Sequence, residues 1–201
     1  MAAGKTIDVS GIKTLALRVS YAGELGWELH IPMQNVAELY DSLMDTGTEF
    51  GIENFGTYAM NSLRMEKAYK GWGSELTTEI SPIEAGLERF VDFSKSFIGR
   101  EATLSRKLLG INTKLVYLEV DANDTDCLGN EPVLNGEQII GVTTSGAYGH
   151  TVRKSLAFAY VHPQYADTGT NFEIRILGQN CSATVLKEAA YDPQNLRLKD
   201  V

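Results

Sequence analysis

Cysteine is scarce in this chain of 201 residues: Cys127 and Cys181 lie far apart, and no second pair accompanies them. That excludes a disulfide-framed scaffold and zinc-type ligand spacing, and leaves two reduced, partly buried thiols as the expectation. Histidine is equally thin, and His30, His150 and His162 share no metal-ligand spacing with one another or with the cysteines. Positive charge is in deficit. With 18 basic against 26 acidic residues the net charge is −8, which disfavours a nucleic-acid backbone as partner. No run of about 18 apolar residues occurs, so a membrane-spanning helix is not expected. Gly71-Trp72-Gly73 and Thr144-Ser145-Gly146 match neither a phosphate-binding loop nor the dinucleotide fingerprint, and no serine sits in a nucleophile elbow. The start, Met1 to Thr6, has neither an apolar core nor an Arg-rich amphipathic stretch. A cytoplasmic protein is therefore expected, or one of the mitochondrial matrix if the source is eukaryotic.

What is present is an ordinarily globular composition, 43% apolar and 22% charged. Leu15, Leu17, Val19 and Tyr21 alternate, and Trp27, Leu29 and Ile31 alternate again beyond Ala22-Gly23-Glu24-Leu25-Gly26. This pattern predicts a β-hairpin whose glycines make the reversal. If Trp27, Leu29 and Ile31 face a core, Glu28 and His30 face the other way. After Pro32, the spacing of Val36, Leu39, Tyr40 and Leu43 predicts an amphipathic helix ending near Gly47. A second helix is expected over Thr57 to Tyr69. A third is expected to start at Ser81-Pro82-Ile83-Glu84, which combines an N-cap serine, a first-turn proline and a capping-box glutamate. Beyond Gly110 the chain changes to short strand-like runs: Lys114 to Val120, Gln138 to Ser145, Leu156 to Val161, Phe172 to Leu177 and Ala183 to Leu186. Such runs predict a small barrel or sandwich. The whole reads as α+β, one unit over residues 8–109 and a second, β-rich one over 110–195.

The chemistry visible from residue types alone is limited to Tyr21 and Glu28, at facing ends of the hairpin. A carboxylate in a partly apolar cleft accepts hydrogen bonds from a cyclic ligand with adjacent N–H and amino groups, and an aromatic ring covers the ligand's face. The pterin ring of folate is such a ligand, although an ordinary sheet surface carries such pairs too.

A family resemblance adds to this. The stretch Arg18-Val19-Ser20-Tyr21-Ala22-Gly23-Glu24-Leu25-Gly26-Trp27-Glu28 resembles the glycine-cleavage aminomethyltransferase (T-protein) superfamily. The blocks Asn54 to Tyr69, Trp72-Gly73 and Ser81-Pro82-Ile83-Glu84-Ala85-Gly86-Leu87 are similar to dimethylglycine dehydrogenases and their sarcosine-oxidising relatives. So are Phe97-Ile98-Gly99-Arg100-Glu101, Thr143-Thr144-Ser145-Gly146 and Lys154 to Val161. Together they run from about Thr14 to about Val185.

The resemblance implies a partial aminomethyltransferase-type folate-binding domain followed by a small carboxyl-terminal antiparallel β-barrel. It implies tetrahydrofolate as cofactor, with Glu28 on the pterin and Tyr21 as a folate-associated tyrosine. FAD is implied only for an upstream domain, which oxidises an N-methyl amine before the folate module captures the one-carbon unit. No residue here matches the superfamily's catalytic aspartate, so no catalytic residue is expected in these residues. A fragment of a longer parent is expected, with small-molecule folate as ligand and an upstream flavin domain or separate subunit as partner. Met60 stands where glycine-cleavage enzymes carry a ligand-contacting arginine, which favours the dehydrogenase branch over a T-protein fragment. Arg64 is expected as a structural ion-pair partner, and Arg197 is a candidate for binding a carboxylate. An iron–sulfur-maintenance branch is disfavoured by Trp72, where its signature has cysteine. A non-catalytic interaction module with this fold is the alternative of another class.

Overall fold

The computed structural model describes residues 3–199 and divides into two compact units, Met1–Leu63 with Gln194–Val201, and Arg64–Pro193. In the first unit, β1 (Gly4–Val9), β2 (Ile12–Leu17) and β3 (Glu28–His30) form an antiparallel sheet in that order. β1 was not expected. Ser10 and Gly11 join it to β2 with φ of 53° and 83°, the left-handed pair that matches the twist of a two-residue hairpin. The Gly11 N–H donates to Asp8 Oδ1 at 2.8 Å, closing the turn.

The β2–β3 pairing corrects the hairpin's boundaries and its faces. β2 ends at Leu17, so Val19 and Tyr21 belong to a loop over residues 18–27. Leu15 pairs with His30, Ala16 with Leu29 and Leu17 with Glu28, and residues paired across an antiparallel ladder point to the same side. Leu15 and Leu17 therefore share the face of Glu28 and His30. The buried face belongs to Ile12, Thr14 and Ala16, with Leu29 half-buried behind them. Two apolar alternations in one hairpin cannot both face inward in this register.

Residues 36–47 form α1 (Val36–Gly47), as the helical spacing predicted, but only Leu39 of its apolar stripe is buried. α2 (Thr57–Glu66) follows, shorter than expected because Ala68 takes φ 53°. The Tyr69 N–H then reaches back to the Arg64 carbonyl at 2.9 Å, a left-handed C-terminal cap.

In the second unit the capping box forms but no helix follows. The Ser81 N–H and Oγ–H donate to Glu84 Oε2 at 2.8 and 2.7 Å, and the Glu84 N–H lies 3.4 Å from Ser81 Oγ. The turn stops at Gly86, φ 66°, where Leu87 N–H closes on the Pro82 carbonyl. An unexpected helix, α3 (Arg100–Leu109), comes next.

Six antiparallel strands then close a barrel in the order β4-β7-β6-β5-β8-β9. They are β4 (Lys114–Val120), β5 (Pro132–Asn135), β6 (Gln138–Gly149), β7 (Lys154–Val161), β8 (Asn171–Ile176) and β9 (Gln179–Val185). β5 is the strand the sequence reading lacked. β4 and β7 are apolar at nearly every position because both of their faces are covered. Val116, Leu118, Val120, Ala157, Ala159 and Val161 fill the barrel, while Leu115, Tyr117, Leu156, Phe158 and Tyr160 pack outside it around Met65. Closure leaves no open sheet edge in this unit.

Candidate functional site

Within the first unit, β3 is three residues long and presents Glu28 and His30 on one face. Their side chains are 58% and 54% exposed, and His30 Nε2 lies 3.1 Å from Glu28 Oε2. Across the strand is Leu17, and next to it Leu15, which is 41% exposed. Tyr21, 40% exposed, sits in the preceding loop rather than on a strand. That loop turns tightly: Gly23 adopts φ 84°, and a Cβ on Gly26 would come to 3.0 Å from the Ser20 side chain. The loop delivers Trp27 and Glu28 back to the sheet beside the residues that left it. The site is thus a sheet face carrying one carboxylate and one imidazole, with Tyr21 and Trp27 in the loop that precedes the strand; its carboxylate is an acceptor suited to N–H donors.

Arg18, which leads out of β2, donates through Nη2 to the Leu198 carbonyl of α4 (Leu196–Lys199) at 3.1 Å. Arg197 lies exposed on the same short helix. Met60 is half-buried on α2.

The second unit contains a buried polar network that residue types alone did not reveal. Glu75 is fully buried, and Arg64 Nη1 donates to its Oε2 at 3.0 Å, as do the Gly71 N–H at 2.7 Å and Ser74 Oγ at 3.0 Å. On the other oxygen, Thr144 Oγ1 and Ser145 Oγ donate at 2.7 and 2.5 Å. A bulge in β6 between Thr143 and Ser145 makes this possible, because it inserts one residue and brings two successive hydroxyls onto the same carboxylate. Burial pushes the Glu75 carboxyl up, but the hydrogen bonds from Ser145, Gly71 and Thr144, with the Arg64 charge, outweigh it. The net result lies below the ordinary carboxylate value. Tyr160 donates to the Glu75 carbonyl at 2.7 Å and Tyr117 to the Met65 carbonyl at 2.9 Å; burial pushes both phenols up.

Glu66 accepts from the Thr151 and Val152 N–H groups at 2.6 and 3.1 Å, and Lys67 Nζ meets Asp192 Oδ2 at 3.1 Å. Gly149 is required where it stands, since a Cβ there would lie 2.8 Å from Glu66 Cγ. The Glu66, Lys67 and Glu75 side chains are buried and hydrogen-bonded, which marks them as architecture. The signal that could have found them was the pairing of Arg64 with the Thr-Thr-Ser-Gly block at 143–146. Cys127 and Cys181 are free thiols, and burial drives Cys127 up to about 12.

Comparison with known proteins decides the family. Residues 1–95 match the GCVT N-terminal domain, and residues 113–192 match the glycine cleavage T-protein C-terminal barrel domain. The chain belongs to the glycine cleavage T-protein family. Among curated relatives, the mitochondrial dimethylglycine dehydrogenase of Homo sapiens is 45% identical over 186 residues, 92% of this chain and 22% of that protein. An aminomethyltransferase of Thermoanaerobacter pseudethanolicus is 34% identical over 92% of this chain and 50% of its own length. The crystal structure of glycine cleavage system aminomethyltransferase T from Bartonella henselae superposes with a TM-score of 0.82 at 25% identity. That match covers 90% of this chain and 50% of the other. This T-protein family chain therefore spans about a fifth of the dehydrogenase and half of the aminomethyltransferases it matches. Among the described residues, no helix is long and apolar enough to cross a membrane.

Proposed function

We propose that this chain is the tetrahydrofolate-binding, one-carbon transfer module of a dimethylglycine or sarcosine dehydrogenase-like protein, with Glu28 holding the pterin and Tyr21 against its face. The observation that carries the reading is the exposed Glu28 carboxylate, raised on a short strand opposite Leu17 with the Tyr21 and Trp27 rings in the adjoining loop. A carboxylate accepts two hydrogen bonds in one plane, which suits the adjacent N–H and amino donors of a pterin edge. His30 Nε2 lies 3.1 Å from the same carboxylate. The higher identity to a dimethylglycine dehydrogenase than to the aminomethyltransferase supports the dehydrogenase branch over a T-protein fragment, and so does Met60.

The Glu28 carboxylate, an acceptor, fits the N–H donors of the cofactor's polar edge, and tetrahydrofolate when bound supplies the nitrogen atoms that accept a one-carbon unit. The residues of this chain bind and orient it. No catalytic residue is assigned to them, and the FAD-dependent amine oxidation of the reaction is left to other sequence. Residues 8–109 and 110–195 are the functional division in this reading, a folate-binding part and a barrel.

Calorimetric titration with tetrahydrofolate is the test. Glu28→Ala removes a charge-assisted hydrogen-bond acceptor and should weaken binding about tenfold or more. Equal binding by both proteins would sink the assignment of Glu28.

A further inference from the structure

Cys127 and Cys181 are the chain's only cysteines and stand far apart in sequence, yet the barrel brings both into one cluster. On β9, Cys181 alternates with Ala183 and Val185, and across the ladder it pairs with the fully buried Ile174. Its side chain therefore faces the barrel interior. Cys127 enters the same interior from the segment between β4 and β5. It is fully buried, and a Cβ on Gly146, the β6 residue paired with Ala157, would come to 2.7 Å from Cys127 Cβ. Glycine at 146 thus makes room for Cys127 against the inner side of β6. A charge on Cys181 acts on the Cys127 thiol, as it does between close neighbours.

Both backbones are pinned. On one side of Cys127, Ser155 Oγ donates to Asp126 Oδ1 at 2.6 Å; on the other, the Leu128 and Gly129 N–H groups each donate to Glu131 at 2.9 Å. The Asp121 N–H donates to the Ser182 carbonyl at 2.8 Å, so the segment leading to Cys127 starts beside Cys181. A single buried cysteine is an ordinary core residue. Two on pinned backbone in one cluster are preset for a bond between them. The two are unequal. Cys181 is half-buried and lines a cavity of about 510 Å³ with Asp121, Asp124 and Asn180. Cys127 has no exposure, and burial, followed by the Glu131 and Asp126 charges, drives its thiol up to about 12.

We propose that Cys127 and Cys181 are a redox-sensitive staple, two thiols that join in a reversible intramolecular disulfide when hydrogen peroxide enters the cavity beside Cys181. Cys181, the accessible thiol, reacts first. Its sulfur attacks one peroxide oxygen, the O–O bond breaks, and Cys181 becomes a sulfenic acid as one water leaves. The Cys127 sulfur then attacks the Cys181 sulfur. The S–S bond forms, the S–O bond breaks, and the departing hydroxide takes the Cys127 proton as a second water. Two electrons pass from the sulfur pair to one hydrogen peroxide. A dithiol reductant reverses the bond by exchange. The link ties β9 to the segment that precedes β5, and those strands are not neighbours in the sheet order. It lies within the barrel and is independent of the folate reading.

The test treats the folded, reduced chain with hydrogen peroxide, unfolds it in the presence of N-ethylmaleimide and weighs it. The monomer should lose the mass of two hydrogens and take up no maleimide, and its digest should contain one peptide pair joined through Cys127 and Cys181. Dithiothreitol should restore two alkylatable thiols. The oxidised monomer should melt several degrees above the reduced one, because the cross-link removes freedom from the unfolded chain. Cys127→Ser should stop at the Cys181 sulfenic acid, trapped by dimedone, whereas Cys181→Ser should keep its Cys127 thiol reduced under the same exposure. The unsubstituted chain supplies the main readout, so a variant that fails to fold leaves the test standing. Survival of both thiols in the peroxide-treated parent chain would overturn the proposal. So would further oxidation of each sulfur without a link, a disulfide between two copies, or a lower melting temperature in the linked monomer.

Discussion

The barrel and the three-stranded sheet are built from strands of similar apolar content, yet they use it differently. In the barrel, β4 and β7 are covered on both faces, with Leu118 and Leu156 fully buried and the edges joined by closure. In the sheet, one face is packed and the other leaves Leu15 and its loop neighbours in water. The apolar residues buried in the first unit are Ile12, Ala16 and Leu39, too few for a core of its own. Closure of the sheet allows burial on both faces in the barrel, whereas an open antiparallel sheet keeps one face in water.

Substitution of Glu75 should expose this contrast most strongly. Glu75→Ala removes the carboxylate that Arg64, Thr144 and Ser145 face, and a broken buried pair costs about 3–5 kcal/mol. Urea unfolding of the barrel should shift accordingly; an unchanged midpoint would contradict the architectural role of the network. Leu118→Ala, which opens a cavity inside the barrel, should cost about 2–5 kcal/mol by the same measurement.

Acid should act on the barrel next. The carboxyls of Glu75 and Glu131 lie below their ordinary value in the folded protein: burial raises each, but hydrogen bonds, led by Ser145 for Glu75 and Thr143 for Glu131, outweigh it. A depressed folded pKa stabilises above the unfolded value of about 4.3 and is lost as pH falls through the lower folded value. The barrel's melting temperature should therefore hold steady from pH 7 to about 5 and fall below about 4.3, with a shallower fall in Glu75→Gln. An identical acid slope in that variant would remove Glu75 from the account. The smallest effect belongs to the open sheet: Leu15→Ser should change the stability of the isolated chain by no more than about 0.5 kcal/mol. A loss above about 1 kcal/mol would mean that the face is already packed.

Much of the barrel was legible because β4 and β7 are continuous apolar runs bounded by turn residues, and such runs admit few other structures. α1 was legible from its helical spacing. β1 was missed because Gly4 to Val9 carries little apolar alternation and is held by pairing with β2 rather than by burial. β5 was missed because Pro132 and a four-residue span look like a turn until β6 and β8 take it up from both sides. At Ser81 the capping box was read correctly as a local hydrogen-bond pattern, but local capping does not extend a helix past Gly86. Of the candidate site, Glu28 facing away from the packed side of β3 followed from alternation alone. Its company did not, because Leu15 and Leu17 join that face only through a register that sequence period leaves undetermined.

By itself the sequence determined which segments can pair or coil, that the second half is β-rich, and that Glu28 and His30 point together; these depend on spacing along one chain. Only the tertiary structure decided which face of the hairpin is open and that Arg64, Thr144 and Ser145 converge on Glu75. The physical reason is that both outcomes rest on relations between distant residues, a strand register and a bulge in a closed barrel. Neighbours along the chain do not specify such relations.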